Sequence, residues 1–195
     1  MGTDDLRQRL ANSDPKWRNL YAEVKRRDPK GTVSTTKIIE RGDIFASSCR
    51  VLVNPVNCVG VSGKGLAKEF KRRFPLSVKA YEKDIRDASN GNSAMTSLWI
   101  GAPADYGIVE HGKTVLFFAT KVHWRDASVL SHIDEGLDGL VLRCEQYRYP
   151  SIAIPALGCG LGQLAWGDVL PLIEDAAKVL NERGLTVEIY APLAA

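Results

Sequence analysis

From residue 35 onward, short strand-like runs alternate with longer helix-like runs. The strand-like runs are Thr36–Glu40, Arg50–Pro55, Ser97–Gly101, Thr114–Ala119, Ser151–Pro155 and Thr186–Tyr190. The helix-like runs are Leu66–Phe74, Val78–Asp87, Leu130–Tyr147 and Val169–Glu182. Because alternating strands and helices fold into parallel sheets covered on both faces, the pattern predicts an α/β domain with a largely parallel central sheet.

Residues 1–34 follow a different pattern. Asp14-Pro15 is a good helix start, since Asp caps a helix and Pro fits its first turn. One apolar stripe with helical spacing follows, formed by Trp17, Leu20, Tyr21 and Val24. Asp28–Gly31 then breaks the helix and is typical of a linker. We therefore predict an N-terminal helical extension over residues 1–34 and one globular domain over residues 35–195.

The charge pattern does not identify a partner. The formal net charge of +3 is too small to indicate a class of ligand. A local basic cluster could face phosphate; its members are Lys68, Lys71, Arg72 and Arg73. A solvated helix face is the favoured interpretation of such a run.

Cysteine and histidine spacing argues against a metal. The four cysteines and three histidines show no metal-ligand spacing, so we expect neither a metal site nor a cofactor. The N-terminal segment MGTDDLRQRL is charged and lacks the apolar stretch of a signal peptide. No apolar run is long enough to cross a bilayer. We therefore expect a cytoplasmic protein with no membrane partner.

A glycine-rich loop, Val53–Gly65, follows the second predicted strand and leads into a helix. Glycines let backbone N–H groups approach a phosphate, and a helix N-terminus adds partial positive charge. The loop is not a P-loop, because Gly65 follows Lys64 where that motif needs Ser or Thr. Taken alone, a tight turn without a ligand explains it equally well.

A second glycine-rich loop, Ile154–Gly162, follows the fifth predicted strand and has three glycines in five positions. Ligands of open α/β sheets bind outside the carboxyl ends of the strands. Two such loops after strands of one sheet predict a crevice that grips a nucleotide diphosphate from two sides.

Three segments together resemble the macrodomain family: Gly42–Phe45 and the two glycine-rich loops. The stretch Ala119–Arg125 is similar to that of the DarG-type antitoxin macrodomains, which remove ADP-ribose from DNA modified by the DarT toxin. A more distant resemblance is to the human terminal ADP-ribose protein glycohydrolase. The resemblance covers about residues 36–191 and implies a three-layer α/β/α macrodomain.

The resemblance also implies roles for the matched positions. Asp43 would accept a hydrogen bond from the adenine amino group, with Ile44 beside it. Asn57 would touch the distal ribose near the scissile bond, and Lys121 would be the lysine needed for catalysis. The other implied ADP-ribose contacts are Asn54, Gly60, Val61, Ser62, Gly63, Lys64, Gly65, Thr120, Ala156, Leu157, Gly158, Cys159, Gly160, Leu161 and Gly162.

Chemistry allows Lys121 two modes of action. Its amine could attack the opened sugar aldehyde to form a Schiff base, or it could stabilise charge or move a proton. A lysine that ends a strand among glycines can be partly desolvated, which favours the neutral nucleophile. His123 could assist acid–base chemistry, although a structural histidine is the favoured interpretation, and Trp124 could stack on a base.

The favoured function is an antitoxin-like ADP-ribosyl glycohydrolase that acts on nucleic acid, preferentially DNA, with an ADP-ribosyltransferase toxin as its partner. The alternatives are a hydrolase of ADP-ribosylated protein or O-acetyl-ADP-ribose, a phosphatase of ADP-ribose-1″-phosphate, and a non-catalytic ADP-ribose reader. The protein-directed human relative has an acid where this chain has Gly162, which disfavours its mechanism here. A reader would not need Lys121.

Overall fold

The computed structural model describes residues 34–89 and 100–192. The helical extension predicted over residues 1–34 lies outside the described residues except for Ser34, and its boundary with the domain stays a prediction. Most of the predicted strand Ser97–Gly101 also lies outside them. Its described end, Ile100-Gly101, forms a turn, so the strand prediction is wrong at that end.

The described strands form one six-stranded sheet. They are β1 (Thr36–Ile39), β2 (Val51–Asn57), β3 (Val109–Glu110), β4 (Lys113–Lys121), β5 (Ser151–Pro155) and β6 (Thr186–Tyr190). Their order in the sheet is β1-β6-β5-β2-β4-β3. Every neighbouring pair is parallel except β3 and β4. The predicted largely parallel sheet is therefore confirmed.

Strand β3 was not predicted, because two residues are too few to show an alternating pattern. It forms a tight hairpin with β4, in which Glu110 pairs with Lys113. The two intervening residues, His111 and Gly112, have φ angles of 52° and 73°. Positive φ at both central positions is the geometry of a two-residue hairpin turn.

Four helices cover the two faces of the sheet. They are α1 (Gly65–Arg73), α2 (Pro75–Ser89), α3 (Leu130–Tyr147) and α4 (Trp166–Glu182). Helices α1 and α2 share one core with the short 3-10 helix Ile44–Ala46, whereas α3 and α4 share the core on the opposite face. The three-layer α/β/α architecture is therefore confirmed.

Strand β2 contributes to both cores. Val51 and Val53 belong to the core beneath α3 and α4, and Leu52 and Val56 belong to the core beneath α1 and α2. All four side chains are buried, as expected for a central strand of a parallel sheet covered on both faces. This double burial holds the end of β2 in place.

The loops that follow three neighbouring strands lie at one edge of the sheet. Because β5, β2 and β4 are adjacent and parallel, their carboxyl ends lie side by side. We call the segments that follow them the β2 loop (58–64), the β4 loop (122–129) and the β5 loop (156–165). Tyr81 of α2 anchors the first of these, since its hydroxyl donates to the Asn57 carbonyl and its ring stacks on Phe117 at 4.7 Å.

Glu110 of β3 caps helix α2 from a distance of more than thirty residues along the chain. Its carboxylate accepts hydrogen bonds from the Leu76 N–H at 3.1 Å, the Ser77 N–H at 2.8 Å and the Ser77 hydroxyl at 2.6 Å. Burial acts to raise the pKa of the Glu110 carboxyl, but these bonds outweigh it, with help from His111, and hold the pKa below its usual range. The carboxylate therefore stabilises the fold in its charged form.

We predict that Glu110→Gln destabilises the domain by about 1 kcal/mol at neutral pH, as expected for the loss of a helix cap. Because the folded-state pKa is lowered, this contribution is present above the unfolded-state pKa and is lost as the pH falls through the folded-state pKa. Urea unfolding of both proteins at neutral and acidic pH measures the difference. The control is Glu69→Gln, which removes only exposed ion pairs with Arg72 and Arg73. A Glu110→Gln effect no larger than that of the control, or one that does not change with pH, contradicts the assignment.

Candidate functional site

The β2, β4 and β5 loops approach one another at the carboxyl edge of the sheet. A Cβ built on Gly65, where the β2 loop enters α1, would lie 3.4 Å from Cδ1 of Leu161 in the β5 loop. The Ser128 N–H of the β4 loop donates to the Gly162 carbonyl at 2.9 Å. The three loops thus lie within contact distance of each other, as a shared crevice requires.

Asn57 ends β2 and braces the β2 loop with its side chain. Its Oδ1 accepts hydrogen bonds from the N–H groups of Val59 at 3.1 Å and Val61 at 3.2 Å, and its Nδ2 donates to the Val61 carbonyl at 2.7 Å. Both lone pairs of the amide oxygen are thereby occupied, and one N–H remains for another partner. Asn57 therefore shapes the loop first and keeps a single donor for a ligand.

The β2 loop ends at an uncapped helix N-terminus. Lys64 is the N-cap residue of α1 and makes no side-chain hydrogen bond to the helix. Gly60 and Gly65 have φ angles of 72° and 56°, which side chains with a Cβ rarely adopt. In the described part of the chain, nothing accepts the N–H groups of Gly63 and Gly65. Free N–H groups at a helix N-terminus are suited to an anion.

The β5 loop is a compact turn anchored by a buried leucine, Leu157. The Leu164 N–H donates to the Gly158 carbonyl and the Gln163 N–H donates to the Gly160 carbonyl, both at 3.0 Å. Among residues 34–89 and 100–192, the N–H groups of Gly160 and Gly162 have no acceptor. Burial raises the pKa of the Cys159 thiol to about 11, so this cysteine stays protonated and is a poor nucleophile near neutral pH.

Lys121 is the last residue of β4 and is only 7% exposed. Its Nζ donates to the Asp126 carbonyl at 2.6 Å and to the Leu161 carbonyl at 2.8 Å. The amine therefore joins the β4 loop to the β5 loop. Burial lowers the pKa of this lysine, and the charge of Asp126 opposes that shift only in part. The sequence-based expectation of a desolvated lysine agrees with this direction.

The two carbonyls also orient the amine. An sp³ nitrogen has four tetrahedral positions, of which one is the bond to Cε and two are taken by the N–H bonds to Asp126 and Leu161. The fourth position holds a proton in the ammonium form and the lone pair in the neutral form. Lys121 is therefore arranged to present either one acidic proton or one nucleophilic lone pair.

The β4 loop is closed by hydrogen bonds among its own residues. The Asp126 carboxylate accepts from the His123 N–H at 3.2 Å, and His123 Nδ1 accepts from the Arg125 N–H at 3.3 Å. His123 is thus occupied in shaping the turn, which favours its structural interpretation. Trp124 is 43% exposed, and the Arg125 guanidinium carbon lies 4.0 Å from its ring centroid.

Asp43 and Ile44 lie in the segment between β1 and β2. Asp43 caps the 3-10 helix, with Oδ1 accepting from the Phe45 N–H at 3.0 Å. Its Oδ2 lies 3.6 Å from a guanidinium nitrogen of Arg73, which also covers the Phe45 ring at 4.4 Å. Ile44 is buried in the core beneath α1. The carboxylate is consequently oriented and half exposed, as an acceptor for a ligand amino group should be.

Besides Ile44, four predicted ligand contacts have side chains inside the protein, and one of them is Ser62, which is 6% exposed. Asn54 and Leu157 are fully buried, and Thr120 is buried with its hydroxyl donating to the Val56 carbonyl at 3.3 Å. These side chains support the site from within. Asn54 and Thr120 are buried because helices cover both faces of β2 and β4, so neither strand has a face open to solvent.

Sequence reasoning missed Ser128, which is buried beneath the β5 loop. A Cβ on Gly162 would lie 2.2 Å from the Gly158 carbonyl oxygen and 2.3 Å from the Ser128 hydroxyl. No side chain fits at Gly162. The packing of this loop therefore excludes an acidic residue at the position where the human relative has one. A serine in a polar loop carries no sequence signal for this role.

Two kinds of feature are absent from the described residues. Within 34–89 and 100–192, no group of three or more His, Cys, Asp or Glu side chains could hold a metal ion. No described helix is both long and apolar enough to cross a membrane.

The profile of the Macro domain family matches residues 53–173. The chain is also 37% identical over 153 residues to the DNA ADP-ribosyl glycohydrolase of Thermus aquaticus, an alignment that covers 78% of this chain and 40% of the relative. The chain thus spans about 40% of the length of that curated relative.

Solved structures show the same fold. The macrodomain of Mycobacterium tuberculosis DarG superimposes with a TM-score of 0.72 at 36% identity, covering 82% of this chain and 99% of that one. Thermosipho africanus DarTG in complex with ADP-ribose gives a TM-score of 0.67 at 34% identity, covering 86% of this chain and 44% of that one. With three loops meeting at the carboxyl edge of a matching sheet, and a family profile that covers both glycine-rich loops, this chain belongs to the macro domain family.

Proposed function

We propose that this chain is an ADP-ribosyl glycohydrolase that removes ADP-ribose from nucleic acid, with DNA as the favoured acceptor. The observation that carries the proposal is Lys121, a buried lysine of lowered pKa whose amine is fixed between the β4 and β5 loops. A perturbed lysine among loops that present free N–H groups is typical of a catalytic site. The Thermus aquaticus relative, named a DNA ADP-ribosyl glycohydrolase, supports the same substrate class.

ADP-ribose fits the polar groups available. The free N–H groups of the β2 and β5 loops would bind the two phosphates from opposite sides. The half-exposed carboxylate of Asp43 would accept the adenine amino group, and the remaining N–H of Asn57 would donate to the distal ribose. ADP-ribose bound to Thermosipho africanus DarTG supports this ligand.

Lys121 would act at C1″ of the distal ribose as the bond to the acceptor breaks. In the covalent route, the neutral amine attacks C1″ of the ADP-ribosylated acceptor, and the acceptor leaves with a proton as its bond to C1″ breaks. The ribose ring then opens to a Schiff base between C1″ and Nζ, and one water hydrolyses it to ADP-ribose and free amine. In the non-covalent route, the ammonium stabilises developing charge or transfers its proton. The lowered pKa favours the first route, because it increases the neutral fraction at a given pH.

The other functions fit less well. A mechanism with a carboxylate at the Gly162 position has no room for that side chain. A reader without catalysis would use Lys121 only to join the β4 and β5 loops, and would have no use for its lowered pKa. We further propose an ADP-ribosyltransferase toxin as partner and the cytoplasm as location.

ADP-ribose should bind with micromolar affinity, or about −8 kcal/mol. Asp43→Ala should weaken it by about 1–3 kcal/mol, because a charged hydrogen bond to the adenine is lost. Calorimetry measures both values. Asp87→Ala is the control, since Asp87 is an exposed carboxylate of α2 paired with Lys83. Absence of binding heat with wild-type protein contradicts ADP-ribose binding. An equal loss of affinity in both variants contradicts the assignment of Asp43 to the adenine.

Substitution of Lys121 distinguishes an enzyme from a non-catalytic reader. Lys121→Ala should lower turnover of ADP-ribosylated DNA by at least ~100-fold, as expected for the loss of a nucleophile or general acid–base group. Lys121→Arg keeps the charge but stays protonated, so it should be as inactive as Ala in the covalent route and partly active in the other.

Turnover by the wild type should rise with pH through the lowered pKa of Lys121 if the neutral amine attacks. Borohydride added during turnover should then trap a lysine adduct. Melting temperatures of each variant check that the loops remain folded. Full activity of Lys121→Ala would falsify the catalytic assignment.

Two glycines of the β5 loop test whether a side chain fits at Gly162. Gly162→Ala should destabilise the unliganded domain by about 1–3 kcal/mol, the typical cost of overpacking, because a Cβ would overlap Gly158 and Ser128. Gly160→Ala is the matched control, since a Cβ there would meet no atom within 4 Å. Thermal unfolding without ligand compares them. Equal stability of the two variants would show that Gly162 is open to a side chain, and that a carboxylate mechanism fits after all.

A further inference from the structure

The β4 loop carries an aromatic–cation pair to which the proposed reaction assigns no role. The Trp124 side chain is 43% exposed, and the Arg125 guanidinium stacks on its ring at 4.0 Å. They follow Lys121 by three and four residues. Leu161 of the adjoining β5 loop is 63% exposed.

Arg125 differs from the basic cluster of α1. Lys71 pairs with Glu82, while Arg72 and Arg73 pair with acidic neighbours of their own. Across the described ranges, no carboxylate lies within ion-pair distance of Arg125. Arg125, in the loop that follows Lys121, is therefore one of the described cations that form no ion pair.

The backbone beneath this pair is held firmly. The Asp126 N–H donates to the His123 carbonyl at 3.1 Å, and the Asp126 carboxylate accepts from the His123 N–H at 3.2 Å. The Arg125 N–H donates to His123 Nδ1, and Lys121 binds the Asp126 carbonyl. Trp124 and Arg125 thus project from a closed turn tied to the amine. A ligand that meets both side chains therefore loses little loop entropy on binding.

We propose that Trp124 and Arg125 form a platform for the acceptor strand, on which Trp124 stacks with a base next to the ADP-ribosylated nucleotide and Arg125 contacts a backbone phosphate. Aromatic rings stack on bases of any sequence, and an arginine beside the ring adds a phosphate partner. With ADP-ribose in the β2 and β5 loops as proposed above, the acceptor strand would leave past Lys121 along the β4 loop. This inference rests on the proposed function and names its substrate as a strand of several nucleotides.

The test compares two substrates. One is a single-stranded deoxyoligonucleotide carrying ADP-ribose on a central base, and the other is the corresponding ADP-ribosylated mononucleoside. For Trp124→Ala, the ratio of kcat/KM for the oligonucleotide to that for the mononucleoside should fall by about tenfold or more, the effect of one lost base stack. The loss should appear in KM rather than kcat. Trp124→Phe should retain most of the ratio, because it keeps a stacking ring.

Arg125→Gln should raise KM for the oligonucleotide and reduce its salt dependence by about one phosphate contact, whereas Arg125→Lys should keep the salt dependence. The control is Tyr147→Ala, which removes another exposed ring with an arginine over it, Arg143 at 4.9 Å, at the far end of α3. This control should leave the ratio unchanged.

Failure of the platform and failure of the proposed function give different results. If wild-type protein releases no ADP-ribose from either substrate, the proposed function is wrong, and fluorescence anisotropy with the unmodified oligonucleotide still tests the platform. Weaker binding by Trp124→Ala than by Tyr147→Ala then supports it. Equal behaviour of those two variants with the oligonucleotide, or equal losses on both substrates, overturns it. Loss of binding to a transferase protein without any change on DNA also overturns it.

Discussion

The amine of Lys121 has a structural and a chemical task at once. By donating to the Asp126 and Leu161 carbonyls, it connects the β4 loop to the β5 loop. The backbone hydrogen bond between Ser128 and Gly162 joins the same two loops. Burial favours the neutral amine, whereas the charge of Asp126 favours the ammonium, and burial prevails in lowering the pKa. The shape of the crevice and the reactivity of the lysine therefore depend on the same pair of hydrogen bonds.

Asn57 follows the same principle on the neighbouring strand. Its Cα lies opposite that of Lys121 in the β2–β4 register, across an irregularity in the pairing. Three hydrogen bonds to the β2 loop leave one donor free. Each of the two polar side chains thus organises a loop and keeps one bonding position, which fixes the direction from which a ligand can be engaged.

Local patterns were sufficient to predict most of the fold. The bounds of β5, β6 and α3 agree with the sequence-based ones, because their apolar periodicity is continuous. Long-range interactions were beyond such patterns: the Glu110 cap of α2 and the Ser128 contact with Gly162 join segments distant in the chain. The glycine-rich loops and Lys121 could be singled out as candidates from sequence. The inward orientation of Thr120 and Asn54 could not, because it depends on helices covering both faces of β2 and β4.

The placement of the cations also explains why the net charge did not indicate a nucleic-acid partner. Three of the four cations in the basic run of α1 pair with Glu69, Glu82 or Asp43, which reduces the field of the run at the crevice. Arg125 has no such partner among the described carboxylates and lies against an exposed indole. A single uncompensated guanidinium on a closed turn can orient a phosphate more specifically than a flexible basic patch, since little entropy is lost on binding. Affinity for a strand would then depend on the geometry of the β4 loop, and the small net charge of the chain is compatible with it.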